Sequence, residues 1–180
     1  MSKVVVASST SPEGEVIELK DPVAAAILGW LLPGLGHLYQ GRTAKGLLFM
    51  ICILSTFFYG LFLGGGRTVY ASWTPWDTRL PYLCQIGVGT PALPALVQTY
   101  LVRSGKAPLF GGVMAPPATP AELNELNRSL HRYFDLGTVY TMIAGLLNVL
   151  VIYDAWGGPV PLLTTDDKKR RETPTPAPTA

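Results

Sequence analysis

The residue types most capable of chemistry are concentrated in one stretch, GWLLPGLGHLYQGRTAKG, at residues 29–46. Its small, titratable and polar-tipped members are Gly34, Gly36, His37, Tyr39, Gly41 and Arg42. Glycines let two backbones approach closely, and a histidine beside them can change its charge near neutral pH. One interpretation is a notch that binds a ligand or a protein partner, with His37 as its titratable group. The alternative is a tightly packed helical hairpin whose small residues serve helix contact.

A second set of polar residues lies inside long apolar stretches: Gln85, Gln98 and Asn148. One interpretation is that they line a polar path for a small solute. The alternative is that they donate hydrogen bonds to neighbouring helices, which is the usual use of uncharged amides in membranes. These apolar stretches contain no Asp, Glu, Lys or Arg. Proton-coupled transport and voltage sensing usually need such residues, so both functions are disfavoured.

Catalytic chemistry finds little support in the sequence. The two histidines, His37 and His131, fall in different segments, and His131 has the spacing of an exposed helical pair with Asp135. The chain has no Gly-x-Ser-x-Gly, His-Glu-x-x-His or Walker sequence, and Cys52 and Cys84 lack the spacing of zinc ligands. We therefore expect no enzyme activity, no metal and no cofactor.

The composition identifies the class of protein that carries these residues. Hydrophobic residues make up 48% of the 180 positions and charged residues only 14%, against about 25% charged residues in a soluble domain. The mean hydropathy is +0.30. These values exclude an ordinary soluble domain, a coiled coil and a disordered chain, and a net charge of +2 provides little attraction for nucleic acid. The composition indicates an integral membrane protein.

Four uncharged apolar segments must position the candidate residues. They cover residues 22–39, 46–63, 80–102 and 136–153. The first two are joined by a short turn, which predicts a transmembrane helical hairpin over 22–63, although the first is short for the ~20 residues of a span. The third contains Pro81, Pro91 and Pro94, which predicts one kinked transmembrane helix over 80–102, with a broken or re-entrant pair as the alternative. The fourth predicts an uninterrupted transmembrane helix.

The loops that join these segments differ in character. Residues 64–79 predict an aromatic loop whose Tyr70, Trp73 and Trp76 suit the headgroup layer. Residues 103–118 predict a Pro/Gly-rich loop.

An amphipathic helix is predicted over residues 119–135, before the fourth span. Thr119 is a suitable N-cap and Glu122 completes a capping box, and leucines follow at helical spacing. We expect a flexible N-terminal tail at 1–21, without a cleavable signal, and a disordered tail at 154–180. The predicted fold is all-α: an integral membrane bundle of about four transmembrane helices plus one interfacial amphipathic helix.

The first two segments resemble a known family. The residues that carry the resemblance are Gly34, Gly36, His37, Tyr39, Gly41, Arg42 and Gly46. Together with the flanking apolar helices they make residues 22–63 similar to the two-transmembrane-helix ("TM-two") domain family. The whole chain is similar to uncharacterised four-span membrane proteins of planctomycete-type bacteria. The resemblance implies a membrane location and a helical hairpin, and it implies no activity.

Two functions are consistent with this sequence. The first is a non-enzymatic accessory, scaffold or assembly subunit of the cytoplasmic (inner) cell membrane. It would be multi-pass, act through helix packing, and contact the lipid bilayer and a protein partner or a second copy at residues 29–46. The alternative is a protein for small-solute permeation or ligand binding that uses the proline-broken third helix.

Overall fold

The computed structural model describes residues 3–7 and 15–157, with side chains for residues 20–157. The strands are β1 (Lys3–Ala7), β2 (Glu15–Leu19), β3 (Trp73–Thr74) and β4 (Asp77–Thr78). The α-helices are α1 (Pro22–Leu31), α2 (Leu35–Tyr39), α3 (Thr43–Leu63), α4 (Pro81–Gln85), α5 (Pro94–Arg103), α6 (Pro120–Leu130) and α7 (Arg132–Gly157). Short 3₁₀ turns occur at Ile86–Val88, Thr90–Ala92 and Phe110–Gly112. The described chain is mostly helical, in agreement with the predicted all-α class.

Two helices, α3 and α7, are long and apolar enough to cross a membrane, with 21 and 26 residues, and within the described residues no other helix is. They pack antiparallel, because Gly60 faces Gly137 at one end of the pair while Lys45 contacts Asp154 at the other. We name these ends the Arg79 end and the Asp154 end, after residues that lie there. The predicted four transmembrane helices are not supported, since the first and third apolar segments each break near their middle.

The first apolar segment folds back on itself. Leu32 has φ −146° and ψ 129°, because a residue before proline avoids the helical region and Pro33 follows it. Gly34 then reverses the chain with φ 81°, and α2 returns until Gly36 meets the carbonyl of Ala25. With ten residues, α1 is about 15 Å long, half of the ~30 Å hydrocarbon thickness. The segment therefore forms a half-length hairpin.

This first half-length hairpin begins and ends at the Asp154 end. The ammonium of Lys20 lies 5.3 Å from the ring centroid of Tyr39, so the residues before α1 and at the end of α2 are neighbours. Gln40 donates a hydrogen bond to the carbonyl of Ala155, near the end of α7. The turn into α3 therefore lies on the same side as the start of α1.

The third apolar segment is a second half-length hairpin, which enters from the Arg79 end. α4 starts directly after Arg79, whose guanidinium contacts the first turns of α7. The chain breaks at Gly89 with φ 86° and ψ −136°, a conformation that L side chains rarely adopt. α5 then returns, and Thr99 donates to the carbonyl of Ala71 at 2.7 Å. The structure thus has a broken pair of short helices in place of the one kinked helix predicted for residues 80–102.

The two half-length hairpins meet in the middle of the bundle. The last carbonyls of a helix lack partners within that helix, and away from water they need others. Thr90 Oγ1 donates to the carbonyl of Leu31 at 2.7 Å. Asn148 Nδ2 donates to the carbonyls of Gly29 at 3.1 Å and Gly87 at 2.9 Å. Asn148, fully buried on α7, thereby joins both hairpin tips to one of the two long apolar helices.

The aromatic loop at residues 64–79 folds inward. Tyr70 is fully buried, which corrects its predicted place in the headgroup layer, while the two tryptophans of the loop stay partly exposed. Tyr70 lies inside because its ring packs against the guanidinium of Arg79, at the end of this loop. The Arg79 guanidinium lies 4.7 Å from the ring centroid of Tyr70 and 4.9 Å from that of Phe134, and a buried cation is stabilised between aromatic faces.

The amphipathic helix predicted over residues 119–135 begins as expected and ends early. Thr119 accepts the amide of Glu122 at 3.2 Å. α6 ends at Leu130 because His131 adopts φ 48° and ψ −132°, outside the helical region. The last residues of the predicted segment belong to α7.

The chain ends also differ from expectation. Within the predicted flexible tail at residues 1–21, β1 and β2 pair antiparallel, since they are rich in the β-branched residues that favour strands. α7 continues to Gly157, past the predicted segment 136–153. The predicted disordered tail at 154–180 lies outside the described residues from position 158 onwards.

Candidate functional site

Two glycines of the LPGLGHLYQGR motif, Gly34 and Gly36, let α2 pack closely against three other helices. Gly34 packs on the carbonyl of Gly46 in α3. Gly36 packs between the carbonyl of Ala25 in α1 and the Cβ atom of Ala155 in α7. A Cβ atom added to either glycine would overlap main-chain atoms of a neighbouring helix. Both glycines therefore serve packing inside the chain.

His37 is fully buried among these helices. Its Nε2 lies 3.2 Å from Oδ2 of Asp154, and its ring centroid lies 5.3 Å from that of Phe49. Burial lowers the pKa of His37 below its usual 6.5, the nearby Arg42 cation lowers it further, and Asp154 opposes the shift. His37 is therefore neutral at pH 7.

Asp154 is the centre of a small charge cluster at this end. Nζ of Lys45 lies 2.5 Å from its Oδ2, and Nη1 of Arg42 lies 3.9 Å from the same oxygen. The Asp154 side chain is 38% exposed, so water screens these pairs and each contributes only about 0–1 kcal/mol. Two cations face one carboxylate beside a neutral histidine, which leaves one net positive charge. We call His37, Arg42, Lys45 and Asp154 the His37 cluster.

The remaining motif residues lie on the outer side of the His37 cluster. Tyr39 is half-buried beneath Lys20. Gly41 is exposed and makes the turn into α3 with φ 82°. The structure thus divides the predicted site into an inner group and an outer group. The inner residues are Gly34, Gly36 and His37, and the outer ones are Tyr39, Gly41 and Arg42.

Sequence reasoning missed two members of the His37 cluster. They are Lys45, in the turn between the first two apolar segments, and Asp154, directly after the fourth. Both stand at the ends of long uncharged runs, which is the one signal that marks them. Their pairing depends on α1 turning back, because that places the start of α3 beside the end of α7.

The amides of the predicted polar path all hold the backbone in place. Gln85 Nε2 donates to Thr141 Oγ1 at 2.8 Å and to the carbonyl of Thr68 at 3.2 Å. Asn148 holds the two hairpin tips. Gln98 donates to two carbonyls in the loop before α6. Gln85 and Asn148 lie where the second hairpin contacts α7, whereas Gln98 lies apart from them on α5.

The side chains described above support only a few kinds of chemistry. The His37 cluster can exchange a proton and can attract an anionic group at its exposed edge. Among the residues that the structure describes, no three His, Cys, Asp or Glu side chains group as metal ligands.

The chain belongs to DUF6677, a family of unknown function, which it matches over residues 24–168. The match covers both long apolar helices, both half-length hairpins and the His37 cluster. No curated protein and no solved structure matches the chain.

Proposed function

We propose that this member of DUF6677 is a non-enzymatic, multi-pass protein of a bacterial cytoplasmic (inner) membrane, where it acts as an accessory, scaffold or assembly subunit. Its membrane location is supported by large apolar side chains exposed along both long helices. They include Leu47, Leu48, Ile51, Phe58 and Phe62 on α3, and Ile143, Leu146, Leu147 and Leu150 on α7. Lipid solvates such faces, whereas water would drive them to aggregate.

The scaffold role is supported by the hydrogen bonds that the buried amide side chains make. Asn148 and Gln85 are fully buried, and their side-chain nitrogens hold the half-length hairpins against α7. These nitrogens are therefore used for holding the chain together and are not free to bind a solute. The outer surface is then the part of the molecule available for function.

The partner would bind at the outer edge of the His37 cluster, at the Asp154 end. Arg42 and Lys45 retain 26% and 36% of their side-chain exposure, and Tyr39 is half-buried beside them. The net positive charge of the cluster favours an acidic segment on the partner. This surface is the exposed part of the motif at residues 29–46.

The test is native mass spectrometry of the tagged full chain, extracted gently from its own membrane. We expect one co-purifying protein at a fixed stoichiometry, lost in the Arg42→Glu variant. Arg103→Glu is the matched control, since Arg103 is an exposed cation at the Arg79 end. A chain that carries no protein, or a partner kept by both variants, would contradict the proposal.

We also propose that residues 22–63 are related to the TM-two domain family. It is supported by the position of the motif, which forms the turn between an apolar helix and α3. The half-length α1 departs from a full two-helix hairpin, so the likeness concerns the motif and its glycine contacts.

Small-solute permeation is the second candidate, and one observation favours it. Two discontinuous segments enter from opposite ends and meet at Asn148, and transporters place their sites at such breaks. The hydrogen bonds of Asn148 and Gln85 argue against a path. We expect proteoliposomes to release entrapped glycerol or urea no faster than empty vesicles. Faster release that changes with Gln85→Ala would favour permeation over the scaffold role.

A further inference from the structure

Two cavities lie in series along one face of α5. The first, of about 350 Å³, is apolar and is lined by Thr90, Leu93, Pro94, Val97, Leu109 and Phe110. The second, of about 340 Å³, contains charged groups and is lined by Arg67, Val102, Lys106, Pro108, Pro116 and Glu122. Gln98 lines the first and Val102 the second, one helical turn further along the same face. We call them the apolar cavity and the charged cavity.

The position of the two cavities matches the profile of a bilayer. Thr90, at the inner limit of the apolar cavity, donates to the carbonyl of Leu31 in the middle of the bundle. The charged cavity lies past the end of α3 and before α6, at the Arg79 end. A ligand that fills both would place its charge at the membrane surface and its apolar part toward the middle.

Within the described part of the chain, the charges of the second cavity leave one cation free. Glu122 accepts from Nη2 of Arg67 at 2.6 Å and from the amide of Ala118 at 2.8 Å, so both of its oxygens are occupied. Lys106 is exposed and forms no ion pair among the described residues. Nε of Arg67 is buried and, in the part of the chain that the structure describes, has no hydrogen-bond partner. The cavity therefore carries one net positive charge and an unused donor, which suits one phosphodiester group.

One wall of the apolar cavity is held by a specific set of contacts. The side chain of Gln98 donates to the carbonyls of Leu109 at 2.7 Å and Val113 at 2.8 Å, and accepts the amide of Leu109 at 2.9 Å. Phe110 and Met114 have positive φ angles of 49° and 60°, which non-glycine residues adopt only when their surroundings hold them there. Phe110 is 83% exposed at the rim. The cavity wall is thus fixed in place with an aromatic ring turned toward the lipid.

We propose that the two cavities together bind one anionic glycerophospholipid of the surrounding bilayer, of the phosphatidylglycerol type. Lys106 and Arg67 hold its phosphate, and one acyl chain occupies the apolar cavity beside Val97 and Phe110. A zwitterionic lipid fits less well, because its ammonium would have to approach a carboxylate whose oxygens are already occupied. A soluble phosphate fits less well because it leaves the apolar cavity empty.

The test is native mass spectrometry of the purified full chain in detergent, titrated with phosphatidylglycerol or with phosphatidylcholine of the same acyl chains. We expect one phosphatidylglycerol to bind at least tenfold more tightly than phosphatidylcholine. Lys106→Gln should remove most of this preference, about tenfold, because one charge-assisted contact to the phosphate is lost. Arg103→Gln removes the same charge from an exposed position outside the cavity and should leave the preference intact.

A second variant tests the apolar cavity. Val97→Trp should fill it and weaken both lipids by a similar factor, while circular dichroism reports whether the helices are kept. Glycerophosphoglycerol, the headgroup without chains, should not displace the bound lipid. Equal binding of the two lipids, equal effects of Lys106→Gln and Arg103→Gln, or displacement by the free headgroup would each overturn the proposal. None of these outcomes depends on the protein partner proposed above.

Discussion

Asn148 on α7 donates its side-chain amide to the main-chain carbonyl of Gly29, 3.1 Å away and 119 residues earlier in the chain. The same nitrogen reaches the carbonyl of Gly87 at 2.9 Å. One side chain thus joins the tips of two hairpins that enter from opposite ends. The stability of the middle of the bundle should therefore depend on it.

Asn148→Ala should lower the free energy of unfolding by about 2–4 kcal/mol, because two buried carbonyls lose their donor and each unsatisfied group costs about 1–3 kcal/mol. The measurement is denaturant unfolding in detergent micelles, followed by circular dichroism. Asn124→Ala is the control, since Asn124 is an exposed residue of α6. Equal stability of the two variants would show that the contacts of Asn148 do not hold the hairpins.

Gly34→Ala should destabilise the fold more than Gly41→Ala. Both glycines have positive φ angles, 81° and 82°, so the conformational strain of an alanine is similar. At Gly34 the new Cβ meets the carbonyl of Gly46, whereas at Gly41 it meets no described atom within 4 Å. Overpacking of this kind costs about 1–3 kcal/mol. Melting temperatures of the two variants in the same detergent measure the difference, and equal values would refute the packing role.

Stability should fall in mild acid because of His37. Its pKa in the folded chain lies below 6.5, so below that pH the unfolded chain binds more protons. The stability contributed by the neutral ring is complete above pH ~6.5 and is lost as the pH falls through the folded-state pKa. The buried ring is then forced to charge beside the cations Arg42 and Lys45, and among the described residues Asp154 is the carboxylate that faces it.

His37→Gln should therefore flatten the pH dependence of the melting temperature below about pH 6.5. His131→Gln is the control, since His131 is an exposed residue between α6 and α7, and it should behave as the unmodified chain does. A His37→Gln protein with an unchanged pH slope would show that this histidine does not titrate with folding.

The two half-length hairpins predict on which side of the membrane the loops of the chain lie. Single cysteines at Gly41 and Gly157 should be labelled from one side of the membrane, and a cysteine at Gly105 from the other. At all three positions an added Cβ meets no described atom within 4 Å. Membrane-impermeant maleimide on oriented vesicles provides the measurement, in a background where Cys52 and Cys84 are replaced by serine. A four-span arrangement would instead place Gly41 with Gly105.

Several local features could be read from neighbouring residues. The capping of α6 by Thr119 and the end of α1 before Pro33 follow from side chains one to four positions away, because caps and proline effects act over one turn. The length of α3 follows from an uninterrupted apolar run. For residues 80–102 the sequence leaves a broken pair as an alternative to one kinked helix, since prolines are compatible with both, and it does not mark Gly89 as the break.

The sequence by itself determined the mostly helical fold and the two long apolar helices, because hydropathy and backbone preference are local properties. Only the tertiary structure decided where the chain goes after each break. That choice depends on distant groups, such as Asn148 and Thr90, that satisfy the carbonyls left at the end of α1. It also brings Asp154 to His37, a contact between residues whose separation in the chain carries no information about their distance in space.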